Sequence, residues 1–111
     1  MARQRHCFAL DLKNDPELVA EYERYHQQVW PGILESIRDA GIELLEIYRV
    51  EQRLFMIMEV SESFSFERKQ SMDDANALVQ EWEALMWKYQ QALPSAAPGQ
   101  KWMPMKKIFQ L

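Results

Sequence analysis

The run Leu54-Phe55-Met56-Ile57-Met58 constrains the fold more than any other feature of the chain. It is far shorter than the roughly 20 residues a membrane-spanning helix needs. As a strand it carries apolar side chains on both faces, so it belongs in the middle of a sheet with material covering each side. Ile42 to Val50, rich in aliphatic and β-branched residues, precedes it across Glu51-Gln52-Arg53, a spacing suited to a hairpin between two antiparallel strands.

The flanking segments supply the rest of the sheet and its cover. His6, Phe8, Leu10 and Leu12 alternate with Cys7, Ala9 and Asp11, the period of a first strand ending near Lys13. Asn14-Asp15-Pro16 then signals a helix start, with Asp15 as the cap and Pro16 in the first turn, where its missing donor costs nothing. Leu18, Tyr22, His26, Val29, Trp30, Ile33 and Ile37 form one stripe of that helix, and Gly41 offers a left-handed stop. Pro31 interrupts it: it cannot donate to the Gln27 carbonyl and its ring crowds that oxygen, which predicts a kink or break one turn after His26.

Ser63 to Met72 reads as a short helix. A longer one is expected from Asp74 to about Leu93, capped by Asp73 or Ser71, with Leu78, Trp82, Leu85, Met86 and Tyr89 facing inward. Residues Pro94 to Gly99 are a loop, and Trp102 to Leu111 reads as a last strand that Pro104 confines to an edge or a bulge. The order β-α-β-β-α-β predicts a single α+β domain over residues 1–111, a ferredoxin-like antiparallel sheet with its helices on one face. Met58, Met103, Met105, Phe109 and Trp102 are then expected on the bare face, which a second copy would cover as a homodimer.

Composition removes several function classes. Lys and Arg number 13 against 17 Asp and Glu, net charge −4, with no basic run, so no nucleic-acid partner is expected. The basic opening residues are followed by an apolar stretch broken at Asp11, too short for a signal-peptide core, and no membrane association is expected. One cysteine, Cys7, permits no internal disulfide, points to a cytoplasmic protein and reads as buried filler. Three glycines, none spaced to wrap a phosphate, argue against nucleotide cofactors. Two histidines and one cysteine form no metal-ligand spacing, so neither metal nor organic cofactor is expected.

His26 is the leading candidate for chemistry because an imidazole exchanges protons near neutral pH. Tyr22 lies four residues before it and Trp30 four after, which aims a hydroxyl, an imidazole and an indole from one helical face, a set suited to a small polyol. The same spacing fits a core histidine satisfied by a backbone carbonyl. Trp87-Lys88-Tyr89, with Met86, is a second aromatic cluster that helical packing alone could also explain. Glu59 is the one acid in the central apolar strand; it must be paired, protonated or facing a wet cavity.

The run Glu21-Tyr22-Glu23-Arg24-Tyr25-His26-Gln27-Gln28-Val29-Trp30-Pro31, the segment Gly41 to Tyr48, Trp87-Lys88-Tyr89 and the ending Ile108-Phe109 resemble the L-rhamnose mutarotase family of dimeric α+β barrel proteins over nearly the whole chain. The resemblance implies a cofactor-free isomerase that interconverts the α and β anomers of a free 6-deoxy sugar. It implies His26 as proton donor and Tyr22 as a sugar contact, with Trp87 stacking on the pyranose and Leu45 and Met86 shaping the pocket. Glu59, a tyrosine or a water would serve as base. The family's rhamnose enzymes carry a tyrosine where Leu45 stands and a doubled tryptophan where Met86-Trp87 stands, and these departures point away from L-rhamnose toward L-fucose or a related sugar. Tyr48 is offset by three residues from Leu45 and does not replace the lost hydroxyl unless a bulge intervenes. Because one fold hosts many chemistries, a ferredoxin-like monooxygenase, including a haem-degrading one, and a non-enzymatic small-ligand module are the alternatives.

Overall fold

The computed structural model describes residues 4–111; the basic opening at residues 1–3 lies outside them. Five strands and four helices follow in the order β1 (Gln4–Leu12), α1 (Pro16–Gln27), α2 (Pro31–Asp39), β2 (Ile42–Val50), β3 (Arg53–Val60), α3 (Phe66–Asp74), α4 (Ala77–Trp87), β4 (Gln90–Gln91) and β5 (Met103–Pro104). The sheet runs β2-β3-β1-β4 in space, β5 also pairs with β1, and every pairing is antiparallel. This is the ferredoxin-like α+β arrangement, with β3 held between β1 and β2.

Strand parity explains the layering. Leu54, Met56, Met58 and Val60 of β3 lie opposite Leu10, Phe8, His6 and Gln4 of β1, and the apolar members of these pairs are buried under the helices. Leu12 and Leu54 meet Tyr22, Ile33, Val79, Trp82, Met86 and Tyr89 in one core cluster, while Phe8, Ile42, Met56, Met58 and Val60 form a second. Phe55, Ile57 and Glu59 point to the other face with Cys7, Ala9 and Asp11, which no helix covers. Arg5 binds Glu59 there at 2.8 Å, and Arg53 binds Asp11.

The helix boundaries follow their side chains. Asp15 accepts from the amides of Glu17 and Leu18 and starts α1 at Pro16 as expected. Pro31 breaks the helix, ending α1 at Gln27 and opening α2 in its own first turn. Gly41, at φ +96, turns the chain into β2 where a Cβ would stand 2.9 Å from Ser61 Oγ. From α3, Arg68 donates to the carbonyls of Asp39 and Ala40 at 2.9 and 3.0 Å, satisfying the open end of α2.

Several expectations are corrected. The last helix starts at Ala77, capped by Asn76 rather than Asp73 or Ser71, and stops at Trp87, because residues 90–91 are drawn out to pair with β1. The last strand shrinks to Met103–Pro104, with one further backbone bond, from the Met105 amide to the Cys7 carbonyl at 2.8 Å; Pro104, opposite Phe8, sits where no amide is needed toward β1. Met58 and Trp102 do not lie on the bare face. Met58 shares the parity of Leu54 and is 3% exposed under the helices, and Trp102 packs against both core clusters from the same side. Cys7 is half-buried rather than sealed. Of the rest of the expected set, Met105 and Phe109 are exposed and Met103 lies opposite Ala9 on the helix-free side, where Ala9, Phe55 and Ile57 add apolar surface, as do the exposed Ile108 and Leu111. No helix among the described residues is long and apolar enough to cross a membrane.

Leu54 is 1% exposed and contributes to the core from the central strand. Leu54→Ala is expected to cost about 2–5 kcal/mol, read as a lowered urea midpoint at unchanged slope.

Candidate active site

Between the helices and the sheet lies a partly open cavity of about 470 Å³. Its walls come from α1 (Tyr22, His26), from α4 (Trp82, Met86), from β2 and β3 (Leu45, Met58) and from the segments at Gln90 and Trp102. Most of this surface is hydrocarbon; one group of polar side chains, Tyr22, His26, Glu83 and Gln90, lies where α1 and α4 face β4, and another, Ser36, Arg38, Glu43, Lys69 and Asp73, comes from α2, β2 and α3.

His26 lies one turn after Tyr22, and the two rings are 4.4 Å apart between centroids. Its Nδ1 is 2.8 Å from the Tyr22 carbonyl oxygen. A carbonyl can only accept, so Nδ1 carries the hydrogen and the neutral ring keeps its lone pair on Nε2. The edge of Trp82, with ring centroids 5.7 Å apart, buttresses the imidazole on another side. Burial pulls the His26 pKa below 6.5, and the bond to the Tyr22 carbonyl offsets this only in part. The ring is therefore neutral at pH 7. One nitrogen is satisfied by a backbone carbonyl, as a core histidine's would be, and the ring also lines the cavity.

Tyr22 is 3% exposed, and burial, countered by Gln90 and aided by the negative charge of Glu83, pushes its pKa up to about 12. It is a phenol at every physiological pH and can donate a hydrogen bond. Gln90 Nε2 donates to its oxygen at 3.4 Å, and Gln90 Oε1 is buried with no partner. Glu83 sits on the cavity wall and pairs with Lys101 at 2.8 Å.

Of the residues singled out from sequence, His26, Tyr22, Leu45 and Met86 share this cavity. Three do not. Glu59 lies between Met58 and Val60 and so projects from the opposite face of the sheet to Arg5. Trp87 follows Met86 by one residue, about 100° around the helix, and is 39% exposed with the Lys101 ammonium 4.9 Å from its ring centroid. Trp30 caps α2 and packs edge-on against Trp82, centroids 5.0 Å apart, behind the cavity wall. The bulge in β2 falls between Ile42 and Leu44, upstream of Leu45, so Tyr48 stays on the far face with its hydroxyl donating to Glu46 at 3.0 Å. Sequence reasoning missed Gln90 and the cavity-facing place of Trp102. The inward spacing of Trp82 and Met86 was visible, but nothing local marks residues 90–91 as a strand.

Comparison with known proteins gives the family. The L-rhamnose mutarotase family profile matches residues 5–111. The chain belongs to the L-rhamnose mutarotase family. It is an isomerase acting on carbohydrates. The L-fucose mutarotase of Xanthomonas campestris pv. campestris is 46% identical, the match covering 100% of this chain and 90% of that protein. The L-rhamnose mutarotase of Acidiphilium cryptum is 27% identical over 93% of this chain and 95% of its own length. The crystal structure of an L-rhamnose mutarotase from Formosa agariphila superposes with a TM-score of 0.72 at 21% identity, covering 97% of this chain and 98% of that one, and supports the fold.

The His26 imidazole is expected to titrate below 6.5 when its ring-proton shift is followed by NMR, and a midpoint at or above that value would contradict a desolvated ring.

Proposed function

We propose that this protein is a mutarotase that interconverts the α and β anomers of a free 6-deoxy-L-hexose, with L-fucose preferred to L-rhamnose. The observation that carries the reading is a neutral imidazole on a sugar-sized cavity, with Nδ1 tied to backbone and Nε2 unspent, beside a phenol that burial keeps protonated. The preference for L-fucose is supported by the 46% identity to an enzyme named for that sugar and by leucine and methionine at positions 45 and 86.

Ring opening needs the proton removed from the anomeric hydroxyl, the C1–O5 bond broken and a proton delivered to O5. The aldehyde then rotates about C1–C2 and closes from its other face. A base at Nε2 takes the first proton as the C1=O double bond forms and the C1–O5 electron pair moves to O5. O5 is bonded to the same carbon as the hydroxyl it leaves, so the imidazolium formed at Nε2 can return the proton there directly or through one water. His26 thus starts as base and finishes as acid. This inverts the opening role suggested by the resemblance, because a ring with a lowered pKa rests in its neutral form. The Tyr22 hydroxyl, unionised, would donate to a sugar oxygen and orient the pyranose against His26. Trp82 and Trp102 supply the aromatic surface on the cavity wall that Trp87 does not, and Leu45, Met58 and Met86 offer hydrocarbon to the C6 methyl.

A homodimer belongs to the same reading. The helix-free face of the sheet presents Ala9, Phe55 and Ile57, and Ile108, Phe109 and Leu111 extend from the chain uncovered, an apolar surface that a second copy would bury. A cytoplasmic setting fits the single unpaired cysteine.

Magnetisation exchange between the anomeric proton signals of L-fucose is expected to accelerate with micromolar protein, and less so for L-rhamnose. Folded protein that leaves both at the buffer rate defeats the function. His26→Asn is expected to lower kcat by about 10²–10⁴-fold. The excess rate over buffer should hold at pH 7 and fall as acid protonates His26, with a midpoint below 6.5. A profile that rises with acid would show the imidazolium to be the starting form.

A further inference from the structure

Gln90 is a buried polar group on the cavity wall that the mechanism leaves idle. The short pairing of Gln90 with Leu12 in β1 fixes its backbone, and its side chain turns toward the helices beside Tyr22. The residue is 5% exposed and lines the cavity. Its amide meets Tyr22 through Nε2 alone, in a long contact of 3.4 Å, and Oε1 has no hydrogen-bond partner. An amide used only to brace Tyr22 would more naturally spend its stronger acceptor, and a buried acceptor left unspent is uncommon enough to call for an occupant.

The neighbouring atoms indicate what that occupant is. The Tyr22 oxygen accepts from Gln90, so its own hydrogen remains available to donate. A free phenol hydrogen and a free amide oxygen on adjacent side chains match a group that both accepts and donates through one atom. A hydroxyl does this; a methyl, an ether oxygen or a ketone does not. Of the wall nearby, Ile33, Val79 and Met86 are hydrocarbon, Glu83 is paired with Lys101, and His26 spends Nδ1 on the Tyr22 carbonyl.

We propose that Gln90 is a specificity-determining residue, its Oε1 accepting a hydrogen bond from one secondary ring hydroxyl of the sugar while Tyr22 donates to the same oxygen. This rests on the mutarotase reading and names the group that selects among hydroxyl epimers within it. The amide binds a hydroxyl that does not react, so it holds ground state and transition state alike and acts on KM rather than on kcat.

The test compares wild type, Gln90→Met and Gln90→Glu by anomer exchange on L-fucose and its 2-, 3- and 4-monodeoxy analogues, with thermal unfolding of each protein in the absence of sugar. Gln90→Met is expected to raise KM for L-fucose by about tenfold with kcat within twofold, and to raise it no further for the one deoxy analogue that lacks the paired hydroxyl. Gln90→Glu, which keeps an acceptor, is expected to retain the ranking of the analogues. Tm of sugar-free Gln90→Met should equal or exceed that of wild type, because an unpartnered polar atom has been replaced by hydrocarbon of similar size. A lowered Tm with a fall in kcat would make Gln90 a brace for Tyr22 and overturn the proposal, as would an equal KM penalty on every analogue. Wild type inactive on all four sugars would instead defeat the mutarotase reading itself.

Discussion

Pro31 has no amide hydrogen to give to the Gln27 carbonyl, and its ring would collide with that oxygen if α1 continued through it. The helix therefore ends at Gln27 and restarts on a new axis at Pro31, with Trp30 between the two segments. The restart lets Ile33 reach the core under α4 while Trp30 props Trp82 from behind. Because α1 stops one residue after His26, the imidazole sits at a helix end rather than within a continuous packed stripe. Both segments line the cavity, the first through Tyr22 and His26 and the second through Ile33 and Ile37.

The same geometry sets the proton chemistry. At the end of α1 the Tyr22 carbonyl lies within reach of a side chain four residues on, and His26 spends Nδ1 on it. That bond fixes the ring's tautomer and its orientation together. The apolar surroundings then work on the two titratable groups in opposite directions with one consequence: the histidine is pulled down and the tyrosine pushed up, so both are neutral at pH 7. A neutral base beside a neutral donor suits a reaction that moves one proton off a substrate oxygen and one onto another without net charge.

How much of this was legible in the sequence depended on whether the signal was local. Pro16 after Asp15, Pro31 within an apolar stripe, and the two-faced run in β3 are local, and each produced the element it implied. The alternation that buries Phe8, Leu10 and Leu12 was equally plain. What failed was parity and long-range pairing. Glu59 looked like an acid within the core strand, but strict alternation sends it to the face opposite His26. Met58, expected on the bare face, belongs by the same count beneath the helices. Gln90 was invisible because its position depends on two residues pairing with β1 across 78 positions of sequence, Leu12 to Gln90, with nothing nearby to announce a strand.

Hydrocarbon and polar side chains on the cavity wall select in different ways. Along Leu45, Met58 and Met86 a methyl gains about 0.8 kcal/mol per buried CH₂, and a hydroxyl brought there loses its water without a partner. Such a wall discriminates a deoxy carbon from a hydroxylated one by only one or two orders of magnitude, since a hydrophobic pocket is a weak filter against an isostere that adds a hydroxyl. Hydrogen-bonding groups reject more sharply, because a substrate that lacks the matching hydroxyl leaves them buried and unpaired. On the proposed function, the group formed by Tyr22, His26 and Gln90 is therefore a sharper filter among epimers than the leucine and methionine at positions 45 and 86.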